Sequence, residues 1–278
     1  MFNLSRIFFV ATFCTCASAN YAPSRWMSPY VDEKIYENVL YGPISGSSVV
    51  TISICESNEE LVDLLEINNP RIKPLATFNS KYTNTYEGYS KIRLGVYNKL
   101  LAMLENLPDN VGIAYFEGFR PLHKQKEYFD KKFKEILQTI PDKERAYQET
   151  TKHVSPFINN IPTHATGAAI DMTLFSIDEH GQGQLIDMGK FDVIFGPNDQ
   201  QETFSHNITD AQRNNRMILL GAATYAGLVN YGYEWWHYSY GDKMWALVKK
   251  QTTALYGLAV PANDPILSID KQAYLDSF

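Results

Sequence analysis

Six histidines occur in the chain, His123, His153, His164, His180, His206 and His237, and two of them stand among residues that could do chemistry with them. The stretch "THATGAAIDMT" sets His164 ahead of Asp171, which lies between Ile170 and Met172 in an otherwise apolar run. A carboxylate in such a run is costly to bury unless a cation or a metal compensates it. Gly167, Ala168 and Ala169 between the two are small enough to let the chain turn tightly and bring both side chains together. Two readings stay open on these residues alone. Either both are metal ligands, or Asp171 pairs with an arginine and His164 is a loop residue.

The stretch "EWWHYSYGD" adds a second imidazole, His237, and a carboxylate, Glu234. Two imidazoles and a carboxylate on rigid backbone, with one position left open, form the usual plan of a catalytic metal site. A further, unligated glutamate can then take the proton of the attacking water and return it to a leaving amine. Trp235 and Trp236 would exclude water and raise the pKa of that glutamate, or simply pack a core; the two uses are compatible. The stretch "FEGFRP" places Arg120 after Gly118 and before Pro121. A guanidinium fixed there can stabilise an oxyanion, hold a substrate carboxylate, or pair with Glu117.

The surrounding pattern indicates what must position these groups. Ile92, Val96, Leu100, Met103 and Leu107 follow helical spacing over 90–107, and "VGIAYF" (111–116) reads as a buried strand. A second helix is expected from Pro121, with Phe129, Phe133, Ile136 and Ile140 on one face. Residues 168–177 read as a strand, turning through "DEHGQGQ" back to "LIDM". A third helix over 209–226 is capped by Thr209 or Asp210 and closed by Gly227, and the aromatic "YGYEWWHYSY" follows as a strand. Upstream, "VVTISI" (49–54) reads as a strand and "NEELVDLLEI" as a short helix. The expected class is α+β, a mainly antiparallel central sheet carrying the site and flanked by helices.

With 278 residues, 45% hydrophobic and 20% charged, the chain has material for one sizeable core. Residues 1–19 read as a signal peptide: Arg6, an apolar run from Ile7, and Ala17-Ser18-Ala19 as the cleavage pattern. Residues 20–74, broken by five prolines, are expected to be irregular, 75–260 to be the catalytic domain, and 261–278 to be a tail packed on the surface. Export implies a periplasmic or secreted location and no stable membrane insertion once the leader is gone. Cys14 and Cys16 leave with it, so Cys55 has no disulfide partner, and beside Glu56 it is a poor nucleophile. The net charge of −6 and the lack of a basic stripe exclude nucleic acid as a probable partner class. No G-x-S-x-G supports a serine hydrolase.

Taken together, "EGFRP", "HATGAAIDMT" and "EWWHY", with "MGKFDVIFG" and "SHN" between the last two, resemble the zinc D-alanyl-D-alanine dipeptidases of the VanX type. These belong to a wider group of zinc D,D-peptidases, and the similarity covers roughly residues 75–245. The resemblance implies Zn(2+) held by His164, Asp171 and His237, with Glu234 as general base and Arg120 as transition-state stabiliser. It implies hydrolysis of a small D,D-dipeptide in cell-wall peptide turnover. Thr163 stands where the family usually has serine, so it is expected to contact substrate. Asp192 is the expected partner of the substrate's free ammonium, its alternative being a turn cap. A D,D-carboxypeptidase or peptidoglycan endopeptidase would use the same metal set, and a non-catalytic zinc-containing wall-binding module would have no use for Glu234.

Overall fold

The computed structural model describes residues 37–191, 200–260 and 263–278. In chain order the strands are β1 (Val39–Leu40), β2 (Ser53–Ile54), β3 (Leu61–Asp63), β4 (Ile72–Pro74), β5 (Lys91–Arg93) and β6 (Val111–Glu117). They continue with β7 (Ala169–Ile177), β8 (Gly183–Leu185), β9 (Val229–Tyr231), β10 (Glu234–Ser239) and β11 (Thr253–Ala254). The main sheet runs β1-β9-β10-β7-β6-β4, with β8 added beside β7. Its middle is antiparallel, through β9-β10, β10-β7, β7-β6 and β7-β8. Both edges are parallel, where β1 joins β9 and β4 joins β6. The class is α+β as expected, but the sheet is mixed.

Both parallel edge strands come from the proline-broken segment upstream of residue 75, which therefore contributes short regular elements among its described residues. Proline lacks an N–H for the ladder, and Pro74 ends an edge strand, where that loss is tolerated. Two local expectations in this segment were wrong. Residues 49–54 divide into a helical turn, Ser47–Val50, and the two residues of β2. The expected helix "NEELVDLLEI" begins as β3 and becomes helical only over Leu64–Ile67, capped by Asp63. Apolar runs this short carry no period that separates strand from helix.

Helices Leu94–Glu105 and Asp210–Ala226 lie side by side on one face of the sheet. Val96, Leu100 and Met103 from the first and Leu219, Leu220 and Ala223 from the second join one core with Ile113, Tyr115, Ile170, Met172, Leu174, Trp236 and Tyr238. Thr209 and Gln212 form a reciprocal capping box, and Gly227 closes the helix in the left-handed conformation (φ +91°). A second apolar cluster is built on helix Leu122–Leu137, with Phe129 and Phe133 meeting Tyr147, Phe157, Tyr274 and Leu275. Tyr147 comes from helix Lys143–Thr150, which the sequence reading had not anticipated. The terminal helix Lys271–Asp276 buries Tyr274 and Leu275 here, and the Tyr274 hydroxyl donates to Asp130 Oδ1 at 2.8 Å.

Strand alternation now separates the chemistry from the core. Ile170, Met172 and Leu174 face the paired helices, so Asp171 faces the other way. Trp236 and Tyr238 likewise turn inward and His237 outward. Two bulges tune this arrangement, one in β10 between Glu234 and Tyr238 and one in β6 between Tyr115 and Glu117. The second leads into Gly118, where the backbone of 89–92 passes so closely that a Cβ would lie 2.5 Å from the Lys91 carbonyl oxygen and 2.7 Å from Ile92 Cγ2. Gly118→Ala should therefore lower stability by about 1–3 kcal/mol through overpacking. Urea denaturation measures it, and a midpoint equal to that of the unsubstituted chain would contradict this packing.

Candidate active site

Asp171 is paired in register with His237 of β10 on one side and with Glu117 of β6 on the other. His164 reaches the same place from a 3-10 turn, Thr163–Thr166, that ends at Gly167 (φ +70°). His164 Nε2 and His237 Nδ1 are 3.1 Å apart. Asp171 Oδ1 lies 3.1 Å from His237 Nδ1 and 3.4 Å from His164 Nε2. All three side chains are buried, and their donor atoms fall within 4.8 Å of one another. The structure thus brings together His164, Asp171 and His237.

Hydrogen bonding fixes how these rings present themselves. His164 Nδ1–H donates to the Gly118 carbonyl at 2.8 Å, which leaves the lone pair on Nε2. His237 turns Nδ1 inward, and its Nε2 faces the Thr163 hydroxyl at 3.4 Å. Two inward lone pairs beside a carboxylate repel one another unless a cation stands between them. A proton shared by the imidazoles would do this in part, and a divalent ion accepting all three donors does it fully. An N,N,O donor set held on strand and turn backbone fits such an ion.

The charges respond to this enclosure. Burial opposes ionisation of Asp171, yet His164 and His237 outweigh it and hold the carboxyl below its usual range. Burial opposes the charged form of His164 as well, and Asp171 reverses that and raises its pKa. Glu234 is paired more loosely. Its Oε2 lies 3.8 Å from His237 Nδ1, and its side chain stays about one-third open, at 35%. Burial in the cleft lifts its pKa to about 7, against the pull of His237. The β10 bulge that presents Glu234 is tied by buried Asn230, whose Nδ2 donates to the carbonyls of Glu234 (3.2 Å) and His237 (3.0 Å).

Arg120 pairs with Glu117, one of the three uses its sequence context allowed. Its Nε donates to Glu117 Oε1 at 2.8 Å, its Nη2 donates to Glu117 Oε2, and its Nη1 donates to Gln125 Oε1 at 2.8 Å. Three of a guanidinium's five N–H donors are used this way, leaving two for a ligand. Glu117 is fully buried; burial raises its pKa, but Arg120 dominates and keeps it low. Tyr86 donates its hydroxyl to Glu117 Oε1, and Tyr128 stacks under Arg120 with its ring 5.0 Å from Cζ. Gln125 in turn donates to the Ser155 carbonyl at 2.6 Å.

Sequence reasoning missed Tyr86, Gln125, Asn230 and Arg93. Arg93 is the anchor of the His164 turn: its backbone N–H donates to the Gly167 carbonyl and its Nε to that of Thr166, both at 2.8 Å. Its Nη1 is 3.4 Å from Glu56 Oε1, and its guanidinium lies over the Tyr256 ring. Gln125, one turn into the helix after Arg120, carried a signal, since a polar residue stands where that helix faces inward. The partners of Arg93 are so distant in sequence that no local pattern reports them. Thr163 is buried behind His237. Asp192 lies outside the described residues. Cys55 is exposed and free.

Residues 111–255, just over half of the chain, match the family model described as D-ala-D-ala dipeptidase. A D-alanyl-D-alanine dipeptidase of Synechocystis sp. is 32% identical over 189 residues, covering 58% of this chain and 74% of that protein. One from Enterococcus faecium is 25% identical over 177 residues, covering 60% and 84%. A solved vancomycin-resistance D,D-pentapeptidase, VanY, in complex with Zn(II), overlays with a TM-score of 0.35 at 15% identity, covering 62% of this chain and 86% of that one, too loosely to carry an inference. The matched span contains His164, Asp171, Glu234, His237 and Arg120, and the chain belongs to the D-ala-D-ala dipeptidase family of metallopeptidases.

Proposed function

We propose that the chain is a zinc dipeptidase that hydrolyses D-alanyl-D-alanine to two molecules of D-alanine. The observation that carries this reading is the convergence of His164, Asp171 and His237 within 4.8 Å, with Glu234 beside them at 3.8 Å from His237 Nδ1. His164, Asp171 and His237 would hold the ion. When bound there, zinc supplies polarisation of the scissile carbonyl and acidification of the attacking water.

The chain's own residues do the rest. Glu234 takes one proton from the water as its oxygen bonds to the carbonyl carbon. The free N–H donors of Arg120 stabilise the charge that grows on the carbonyl oxygen, an interaction absent from the planar amide and therefore spent on the transition state. Glu234 then hands its proton to the amide nitrogen as the C–N bond breaks, so that one water is consumed and two amino acids leave. Glu117, Gln125 and Tyr128 hold the guanidinium so that it need not reorganise. Asp192 is the proposed partner of the substrate ammonium, and the leader-like residues 1–19 support export to the periplasm or beyond.

A dipeptide and a longer wall peptide share this chemistry, and the dipeptide is preferred because both relatives described above are named for it. Free alanine should be released rapidly from D-alanyl-D-alanine, and slowly or not at all from a stem pentapeptide or from L-alanyl-L-alanine. Equal rates on the pentapeptide would replace the dipeptidase reading with a D,D-carboxypeptidase.

Glu234→Gln should retain one zinc per chain by metal analysis while kcat falls about 10²–10⁴-fold, the usual worth of a general base. Turnover within a few-fold of the original would remove Glu234 from that role. Since Glu234 acts as the carboxylate and burial lifts its pKa to about 7, kcat/KM should fall as pH drops from neutrality. A bound dication favours the ionised form, so the midpoint of that limb should lie at or below about 7. A pH–rate profile flat between pH 5 and 8 would contradict it.

Arg120→Lys should keep a charge opposite Glu117 yet lose the forked geometry, lowering kcat by about 10²–10³-fold. Arg120→Ala should in addition destabilise the fold by roughly 3–5 kcal/mol, because it leaves the buried Glu117 unpaired. Thermal melts of the two variants beside their kinetics separate the effects. A lysine variant with full kcat would overturn the oxyanion assignment.

A further inference from the structure

The two metal-facing imidazoles are supported unequally. Behind His164 stands a backbone carbonyl at 2.8 Å, a strong acceptor for Nδ1–H. Behind His237, among the described residues, stands the Thr163 hydroxyl, at 3.4 Å from Nε2. Two more polar groups lie on that side. Ser239 follows His237 by two residues in β10 and so shares its face of the sheet. Asp242 begins the next helix, Lys243–Val248, with Oδ1 accepting from the Trp245 N–H at 2.8 Å. Both residues are essentially inaccessible to solvent, and neither Ser239 Oγ nor Asp242 Oδ2 makes a hydrogen bond of good geometry.

Burial raises the Asp242 pKa, while the Trp245 N–H, the Ser239 hydroxyl, His237 and His164 act the other way and favour its ionised form. A buried carboxylate oxygen whose nearest donor is a poorly aligned serine hydroxyl costs about 1–3 kcal/mol, which asks for a reason why an aspartate is kept there. Helix capping is half of a reason, because it needs one oxygen only. Ligating histidines as a rule present their outer N–H to an acceptor that fixes the ring and raises its basicity.

We propose that Thr163, Ser239 and Asp242 form the outer support of His237, in which the Thr163 hydroxyl accepts the Nε2–H and Asp242 is the anionic end of the chain. Thr163 and Asp242 are then positioning residues for the metal. Once Thr163 accepts from the imidazole, its own O–H is left to donate toward Ser239 and Asp242, directly or through a buried water. Thr163 is thereby assigned to the ligand and not to the substrate. This inference rests on the metallopeptidase site described above.

Competition against a chromophoric chelator measures zinc affinity in the full-length chain, and the cobalt(II) visible spectrum reports ligand geometry. Asp242→Asn keeps the helix cap, because asparagine Oδ1 still accepts from Trp245, but it removes the anionic end. Asp242→Asn and Thr163→Val should each weaken zinc binding by about 10–100-fold, with apo-protein melting little changed. Thr163→Ser should restore affinity, and the double variant should lose less than the product of the two single losses.

Asp242→Asn and Thr163→Val that bind zinc as tightly as the parent would overturn the proposal. Thr163→Val with parental zinc affinity and a raised KM would return Thr163 to the substrate. A parent chain that takes up no zinc would instead overturn the reading of the whole site, which the parent titration alone decides.

Discussion

The structure depends on one buried carboxylate. Asp171 sits in the central strand of the sheet, where neither water nor a loop can move to compensate it, so its compensation has to be built into the neighbours. The register supplies it: His237 lies directly across one ladder, and the Glu117–Arg120 pair lies across the other. His164 closes the remaining side from the turn. Shifting either ladder by one residue would send these side chains to the face covered by helices Leu94–Glu105 and Asp210–Ala226. Fold and site are therefore specified by the same pairing.

The rest of the molecule limits the freedom of groups that β7 does not itself hold. The turn carrying His164 is not part of the sheet, and Arg93 ties its carbonyls to segments around Glu56 and Tyr256. The β10 bulge is held by Asn230, and Thr203 Oγ1 donates to the Asn230 side chain at 2.6 Å. Arg216, buried within the Asp210–Ala226 helix, donates to the carbonyls of Met188, Gln200 and Glu202, each at 2.7 Å. In each case a side chain with several donors or acceptors satisfies irregular backbone that has no ladder to join, as buried backbone requires.

What could be read in the sequence follows from how local each cause is. Helices over 94–105, 122–137 and 210–226 showed in their apolar spacing and caps, and the β7–β8 hairpin in its turn residues. Asp171 was legible because a charge inside an apolar strand is anomalous wherever it occurs, and its grouping with His164 and His237 came from the resemblance of the three motifs to the dipeptidase family. The edge strands were not, because two- and three-residue elements carry no period and exist only through partners such as Asn230 and Ile113. Helix Lys143–Thr150 is mainly polar, burying only Ala146, Tyr147 and Thr150, so its capping Asp142 was its main local mark. Arg93 and Tyr86 escaped for a different reason. Their roles are defined by residues they meet only after folding.

The doubled tryptophans of "EWWHY" gain their meaning from this geometry. An alternating strand would put Glu234, Trp236 and Tyr238 on one face, and the glutamate would then point into the hydrophobic core. The bulge breaks the alternation after Glu234, so that Trp235 and Trp236 both join the core while Glu234 and His237 both face the site. The indoles are anchored on that side: Trp235 Nε1 donates to the Lys190 carbonyl at 3.1 Å, and Arg216 stacks on its ring. Two large buried side chains in succession thus hold an irregular backbone that two polar residues alone could not. What results is a pair of carboxylates with opposite tasks. Asp171, enclosed by imidazoles, is held in its ionised form, as the proposed ligand role requires. Glu234, enclosed by the cleft and only loosely paired with His237, is left near the pKa at which a proton can be both taken and returned.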